Sequence, residues 1–567
     1  MSSIWNPEYS QKRPNVRGRK HGIATGHYLA TQAGYSILEA GGNAVDAGVC
    51  AGITINVLES QQCSFSGVAP MIVYMRELGQ AVSIDGLGTW PAAITPDYFA
   101  KRGHKFVPDG ILLSVVSAAP AAWLEALKRY GTMSFEDVAT KAIDYARDGF
   151  PIHAEMAHTL VQRAKEFPAG GEAHNIFFPE GRILKAGDIF YQKDLAKSLQ
   201  YMVDEERAAT SKGRVAGLNA ARAAFYEGDI AHAFVQYQAE NGGLLTADDF
   251  RNYQVTVESP LAYDFHGTEV LACGPWCQGP MLLQELSILK GFDLRARGHN
   301  SAEYLHLILE AIKLAASDRE NYYGDPKFVD VPIQHLLSDE HAAELRAQIR
   351  ETVRPYSDRY NSPSVAPETA VETCRDTTYV SVVDKWGNAF SATPSDGVMR
   401  SVPVVPGLGM ASSPRGIQSR TDPNHPASIA PGKRPRLTPN PAMAIRGEDF
   451  VMPFGTPGGD LQTQAMLQVL LNMTIFGMNP QAAIEAPRVY SYSFPDSFSP
   501  HTSFPERVRT ESDLPCEAEL AGKGHKLERW PKAEWVLTSV CAVAADIREG
   551  TVEAAADFRR TAYGLAG

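Results

Sequence analysis

The run CRDTTYVSVVDKWGNAFSAT, Cys374 to Thr393, sets paired threonines behind an acidic residue where a β-strand pattern begins. A threonine hydroxyl is a weak nucleophile at neutral pH until a base takes its proton, and the threonine's own α-amino group can be that base once it is free. The amine is released only when the Asp376–Thr377 bond is cut. The residues therefore point to self-cleavage: the Thr377 hydroxyl attacks the Asp376 carbonyl, the amide becomes an ester, and water releases one fragment ending at Asp376 and another beginning at Thr377. The same hydroxyl would then carry catalysis. Two β-branched residues opening a strand are also ordinary β-propensity, so the surrounding elements have to decide.

From Thr377 the residues alternate over TTYVSVVD, the turn signal KWGN follows, and a second run AFSATPS begins, which describes a hairpin. Pairing across a Trp386–Gly387 turn predicts Val380 opposite Thr393 and Thr378 opposite Ser395, bringing two hydroxyls beside Thr377. Further on, TPGGD (Thr456 to Asp460) precedes the apolar run LQTQAMLQVLLNMTIFGM and reads as a turn into a helix N-terminus. Ala302 to Ala316 reads as a helix with Leu305, Ile308, Leu309 and Ile312 on one buried face. The clearest internal boundary is Glu340 to Asp376, a charged helical run followed by a Pro/Ser/Thr-rich stretch, the polar and exposed character expected upstream of a cut.

With these motifs in order, the chain resembles the γ-glutamyltranspeptidase family nearly end to end: LEAGGNAVDAGV (Leu38 to Val49), the region Ser117 to Trp123, EAIKLAASDRENYYGDPKFVDVP (Glu310 to Pro332), the Thr377 hairpin, APGKRP, FGTPGGD and EAPRV (Glu485 to Val489). Tyr379 replaces the family's usual His. The resemblance implies a member of the N-terminal-nucleophile hydrolase superfamily with an α+β, four-layer αββα sandwich, assembled as one interlocked catalytic domain from a large part, 1–376, and a small part, 377–567. It implies Thr377 as nucleophile and processing site and Thr393 as the residue that hydrogen-bonds its hydroxyl. Ser395 stands as a second, substrate-side hydroxyl. Gly458 and Gly459 match the pair whose backbone N–H groups form the oxyanion hole, a task suited to glycine because a bare backbone can approach the tetrahedral intermediate closely.

The departures from the family concern the substrate. The family's carboxylate-binding Arg is replaced by Leu87 in IDGLGTWP, its amine-binding Asp pair by Ile417 and Gln418, its serine pair by Leu437 and Thr438, and its Gly-rich loop by SFSGVAP (Ser64 to Pro70). A guanidinium that grips a carboxylate bidentately has no substitute in an isobutyl group, so the chemistry is retained while the pocket changes. The segment PRGIQSRTDPNHPASIAPGKRPRLTPNPAMA is closer to the oxamate amidohydrolase branch, and cephalosporin acylase-like members share the same processing. Arg415 is then the candidate substitute for the carboxylate contact, with Arg400, Arg434 and Arg436 as competitors. Thr438 and Asn440 complete the candidate substrate-binding set.

Composition excludes other classes. With 567 residues, 44% hydrophobic, the chain can bury a large core. A net charge of −12, with no long Lys/Arg run beyond VRGRK, argues against nucleic acid. No apolar leader region or stretch of about 18 apolar residues is present, so a soluble, cytoplasmic protein with no membrane partner is expected. Seven scattered cysteines fit a reducing compartment. Cys273 and Cys277 read as pocket-wall or loop residues, and His21 and His27 as structural. No HExxH or paired CxxC set points to a metal, and no cofactor is expected. The function expected is a self-processing N-terminal-threonine amidohydrolase acting on a small amide. The alternatives are a γ-glutamyltransferase or glutathione hydrolase with a non-standard clamp, and an inactive binding protein. The two fragments form a heterodimer, and whether one or two such pairs assemble is left open.

Overall fold

This computed structural model describes residues 11–167, 171–360, 376–398, 402–511, 514–530 and 538–567. Two seven-stranded antiparallel sheets are stacked face to face. The first runs, in spatial order, Tyr563–Ala566, Gly22–Thr25, Val380–Val383, Ala389–Ala392, Met71–Met75, Gln80–Ile84, Val257–Glu258. The second runs Val16–Gly18, Thr551–Ala556, Cys541–Asp546, Phe450–Gly455, Ala442–Arg446, Thr268–Ala272, Leu261–Phe265. Between the sheets lies one apolar layer that includes Ile72, Leu271, Tyr379, Met443, Val451 and Val543.

Helices cover both outer faces. Ala44–Leu58 lies on the first sheet, against the strands Val380–Val383 and Ala389–Ala392. Every residue of that helix is buried, which its sequence AVDAGVCAGITINVL permits because it has no solvent-facing stripe. Asn43 and Asp46 close its N-terminus in a capping box. Gly48 is needed where the Phe390 ring comes close enough that an added Cβ would meet it at 2.2 Å. The helices Gly279–Leu289, Ala302–Tyr322 and Gln462–Thr474 form the outer layer on the second sheet. Helix, sheet, sheet, helix is the four-layer αββα sandwich expected from the family resemblance.

Both sheets contain strands from before and after residue 376, so each sheet is complete only with both parts of the chain. Two expectations need correction. The helix at Ala302 runs on to Tyr322 and is buried around nearly its whole circumference rather than along one face. The reason is a further covering layer: a small sheet of Val489–Ser491, Arg507–Thr510 and Lys526–Arg529 and the helix Glu517–Gly522 pack over its outer side. The hairpin register also differs by one residue: Val380 pairs with Ala392 and Val383 with Ala389. Asp384 N–H donates to Asn388 O (3.1 Å), and the Asp384 carboxylate caps the N–H groups of Trp386 and Asn388. The loop therefore holds three residues, ending on Gly387 at φ +80°, the three-residue hairpin geometry rather than the two-residue one. Most of the polar stretch before the threonines, 361–375 with Cys374, and Arg400 lie outside the described residues.

Candidate active site

Thr377 and Thr378 lead into the strand Val380–Val383. The partner strand continues past Ala392 through Thr393 and Pro394, whose carbonyl accepts the Thr378 N–H at 3.0 Å. That pairing carries Ser395 to Thr377, and its hydroxyl lies 2.8 Å from Thr377 Oγ1. The Thr377 hydroxyl also lies against the carbonyl oxygen of Asp376, within reach of the bond it is expected to break. Ser395 Oγ donates to that same carbonyl oxygen at 3.2 Å. A close approach of Gly67 supports the segment: an added Cβ there would stand 2.3 Å from Ser395 O.

Ser395, not Thr393, hydrogen-bonds Thr377, whereas Thr393 Oγ1 is buried with no hydrogen-bond partner. The observed register sets Ser395 opposite Thr377 and leaves Thr393 further along, opposite Tyr379. Asp376 and Thr377 are themselves buried, 3% and 1% exposed, whereas an exposed segment is expected upstream of a cut. A bond hidden from proteases remains open to attack by a hydroxyl one residue away.

Arg415 is buried as well. Its guanidinium donates to Asp376 Oδ1 at 3.2 Å and to Ser395 Oγ, and its Nε pairs with Asp396. Gly397 N–H donates to Asp376 Oδ2 at 3.0 Å. Asp396 holds φ +76°, a left-handed conformation that Asp tolerates better than most residues, and Ser413 Oγ fixes its other oxygen at 2.5 Å. The competing arginines are committed elsewhere: Arg434 to Asp85 (2.9 Å) and Asp325 (2.7 Å), Arg436 to Glu320 (2.5 Å). Leu87 is buried in the layer between the sheets.

Gly458 and Gly459, at φ +126° and +57°, link the strand Phe450–Gly455 to the helix Gln462–Thr474. The following Asp460 anchors this turn, accepting from Arg319 (2.5 Å), Ser497 N–H (2.7 Å) and Ser497 Oγ (2.6 Å). Gln278 joins the turn to the segment holding Thr438 and Asn440: its side-chain amide donates to Thr438 O and Gly459 O, both at 2.8 Å. Gln418 donates to Thr438 Oγ1 at 2.8 Å, and Asn440 N–H donates to Gln462 Oε1 at 3.0 Å. Within this buried network Gln278 Oε1, Gln418 Oε1, Asn440 Nδ2 and Gln462 Nε2 have no partner in the protein. Buried polar atoms rarely stay unpaired, so this is hydrogen-bonding capacity available to a ligand. Gln278 and Gln462 are not recognisable from sequence, lying in stretches that read only as loop and helix start. Gln418 carried a signal, since it stands where the family has a carboxylate.

A second polar cluster lies behind the threonines. The Glu59 carboxylate accepts from Thr561 Oγ1 at 3.2 Å and is in hydrogen-bonding contact with Thr378. Burial pushes its carboxyl up to about 7, against the pull of the Arg560 guanidinium. Gly26 makes room for it, since a Cβ there would sit 2.1 Å from Thr378 Oγ1. Far from this site, His306, Glu310 and His525 bring metal-ligand atoms together, but Lys313 already pairs with Glu310, and the two imidazoles bond each other at 2.9 Å.

Comparison with known proteins places this geometry. A family model described as Gamma-glutamyltranspeptidase matches residues 30–566. The glutathione hydrolase-like YwrD proenzyme of Bacillus subtilis is 30% identical over 551 residues, covering 96% of this chain and 98% of that protein. The acylase ACY 1 proenzyme of Pseudomonas sp. V22 is 30% identical over 562 residues, covering 97% and 94%. Among solved structures, cephalosporin acylase from Bacillus halodurans superposes with a TM-score of 0.85 at 27% identity, covering 100% of this chain and 99% of that one.

Proposed function

The chain belongs to the gamma-glutamyltranspeptidase family, and from that premise we propose that it cuts itself between Asp376 and Thr377 and then hydrolyses a small amide through an acyl ester on Thr377. The observation that carries this reading is the Thr377 hydroxyl, buried, 2.8 Å from Ser395 Oγ and against the Asp376 carbonyl. The related proteins named as proenzymes support a processed chain.

In the uncut chain, Thr377 Oγ1 adds to the Asp376 carbonyl carbon while Ser395 orients the hydroxyl. The C–N bond breaks, the proton passes to nitrogen, and the acyl group rests on Oγ1 until water releases it. Thr377 sits at φ +156°, an uncommon conformation for a β-branched residue. That torsion is defined through the bond to be cut, so cleavage abolishes the constraint, and strain held at such a place favours the reaction. The freed α-amine then serves as base for the same hydroxyl. Gly458 and Gly459 N–H groups stabilise the oxyanion, held in place by Asp460 and Gln278.

Ser395, Arg415, Thr438 and Asn440 line the acyl and leaving-group side. Because Leu87 replaces the guanidinium expected for a γ-glutamyl head group, hydrolysis of another amide is favoured over γ-glutamyl transfer. The two fragments remain together as a heterodimer, since each sheet needs strands from both. Replacing Thr377 by Ala is the test: both self-cleavage and amide turnover must disappear, and a variant that still splits at this bond sinks the mechanism. Adding an amino acid or dipeptide acceptor to an amide assay separates transfer from hydrolysis.

A further inference from the structure

We infer that the uncut chain presents its own Asp376 as a template of the substrate, and that the mature enzyme takes acyl donors bearing a carboxylate two carbons beyond the scissile carbonyl, the succinyl class of amides. This rests on Thr377 being the nucleophile.

Asp376 is itself an acyl donor. Self-cleavage transfers its acyl group to Thr377 Oγ1, so the processing intermediate is an ester of the same kind as the catalytic acyl-enzyme. In that acyl group the reacting carbonyl carbon is joined through Cα and Cβ to a carboxylate. The carboxylate is seated by two donors, Arg415 and Gly397, with the Ser395 hydroxyl beside them, all belonging to the small part of the chain. Arg415 reaches Oδ1 at 3.2 Å, Ser395 Oγ reaches the same oxygen at 3.5 Å, and Gly397 N–H reaches Oδ2 at 3.0 Å. None is altered by the cut.

The seat is built rather than adventitious. Arg415 is 1% exposed, and Asp396 and Ser413 fix its orientation. Arg415 keeps Asp396 as its counter-charge, but the N–H that bonds Asp376 loses its acceptor, and a buried charged donor left unpaired is unfavourable. Once Asp376 departs, the chemistry that fills its place is another carboxylate. The distance from Thr377 Oγ1 to Arg415 then acts as a ruler. An acyl acid with carbonyl and carboxylate directly joined falls short of Arg415 when its carbonyl sits at Thr377. A γ-glutamyl group, with three intervening carbons, overreaches it.

In the reaction, Thr377 Oγ1 bonds to the donor's carbonyl carbon and the proton ends on the departing amine. Water then splits the ester, releasing the dicarboxylic acid and returning a proton to Oγ1.

The test uses the full-length, self-processed protein with a series of monoamides: oxamate, malonamate, succinamate and glutaramate, together with butyramide as the uncharged match to succinamate. We expect kcat/KM to peak at succinamate and to exceed butyramide by about 10- to 100-fold, the effect of a charge-assisted contact. Arg415→Lys, which keeps the charge and loses the fork, should reduce that ratio. If this variant stays uncut, succinate against butyrate as competing inhibitors of the natural enzyme gives the same comparison, with succinate expected to bind at least tenfold better. Asp376→Ala, once cut, should leave the substrate preference unchanged, because the seat lies in the other fragment. A ratio near one, a peak at another chain length, or a processed enzyme that hydrolyses none of the series overturns the inference while leaving Thr377 as the self-cleaving residue. A chain that stays uncut refutes the Thr377 reading, and this inference with it.

Discussion

The Arg415 guanidinium stands 3.2 Å from the Asp376 carboxylate, so the acyl side of the scissile bond is anchored by a cation 39 residues further along the chain. Attack by a neighbouring hydroxyl needs the carbonyl held still, and anchoring converts a rare alignment into a standing one. Asp376→Ala is therefore expected to slow self-cleavage by about tenfold or more without abolishing it, because the Thr377 hydroxyl is untouched. A time course of fragment appearance after purification reads this directly. An unchanged rate would show that the pair does not orient the bond.

The two hydroxyls near Thr377 should separate cleanly. Ser395→Ala removes the partner of Thr377 Oγ1 and should lower both the self-cleavage rate and kcat by about 10- to 100-fold, with Ser395→Thr largely restoring them. Thr393→Val removes a hydroxyl that has no partner, and should change either rate less than about threefold. The reverse ranking would restore the assignment read from the sequence alone.

Much of this site is legible in the chain, and its limits have physical reasons. The paired threonines and the PGG turn can be found because each is a local choice of residue type, whereas the two-sheet fold follows only from the family resemblance. The exchange of Thr393 for Ser395 was missed because register depends on loop length. A KWGN signal does not reveal that Asp384 folds back to cap two amides and encloses three residues. Arg415 was placed in the candidate set as one of four arginines. Only tertiary packing shows that Arg434 and Arg436 are committed to Asp85, Asp325 and Glu320. Gln278 was missed because a glutamine in a loop carries no periodic or motif signal. What matters is the pair of carbonyls that the fold brings to it.

Asp460 is expected to be indispensable to the Gly458–Gly459 turn. It pairs with a fully buried Arg319, whose other carboxylate, Glu320 at 3.3 Å, is shared with Arg436, and it also accepts two bonds from Ser497. Asp460→Ala leaves a buried guanidinium short of its counter-charge, a loss of about 3–5 kcal/mol. Denaturant unfolding compared with the natural chain tests this, and a difference under about 1 kcal/mol would contradict it.

Glu285 supplies a pH signature. It is buried in the helix Gly279–Leu289, with Thr463 Oγ1 donating to it at 3.1 Å. Burial pushes its carboxyl up to about 8, with the Thr463 bond and Arg319 opposing. The folded protein therefore keeps a proton that the unfolded chain loses near 4.3. Stability due to this group is fully present below that value and falls as pH rises toward 8, by about 1.4 kcal/mol per unit. Glu285→Gln should gain stability relative to the natural chain from pH 5 to pH 8, as measured by thermal unfolding. A constant difference across that range would contradict the assignment.

The most direct test of the central claim is intact mass with N-terminal sequencing of the purified natural protein beside Thr377→Ala. The natural protein should yield two fragments, the smaller beginning TTYVSVVD, while the variant stays a single chain. A natural protein that remains whole, or a variant that splits at the same bond, would contradict Thr377 as the residue that frees itself to become the nucleophile.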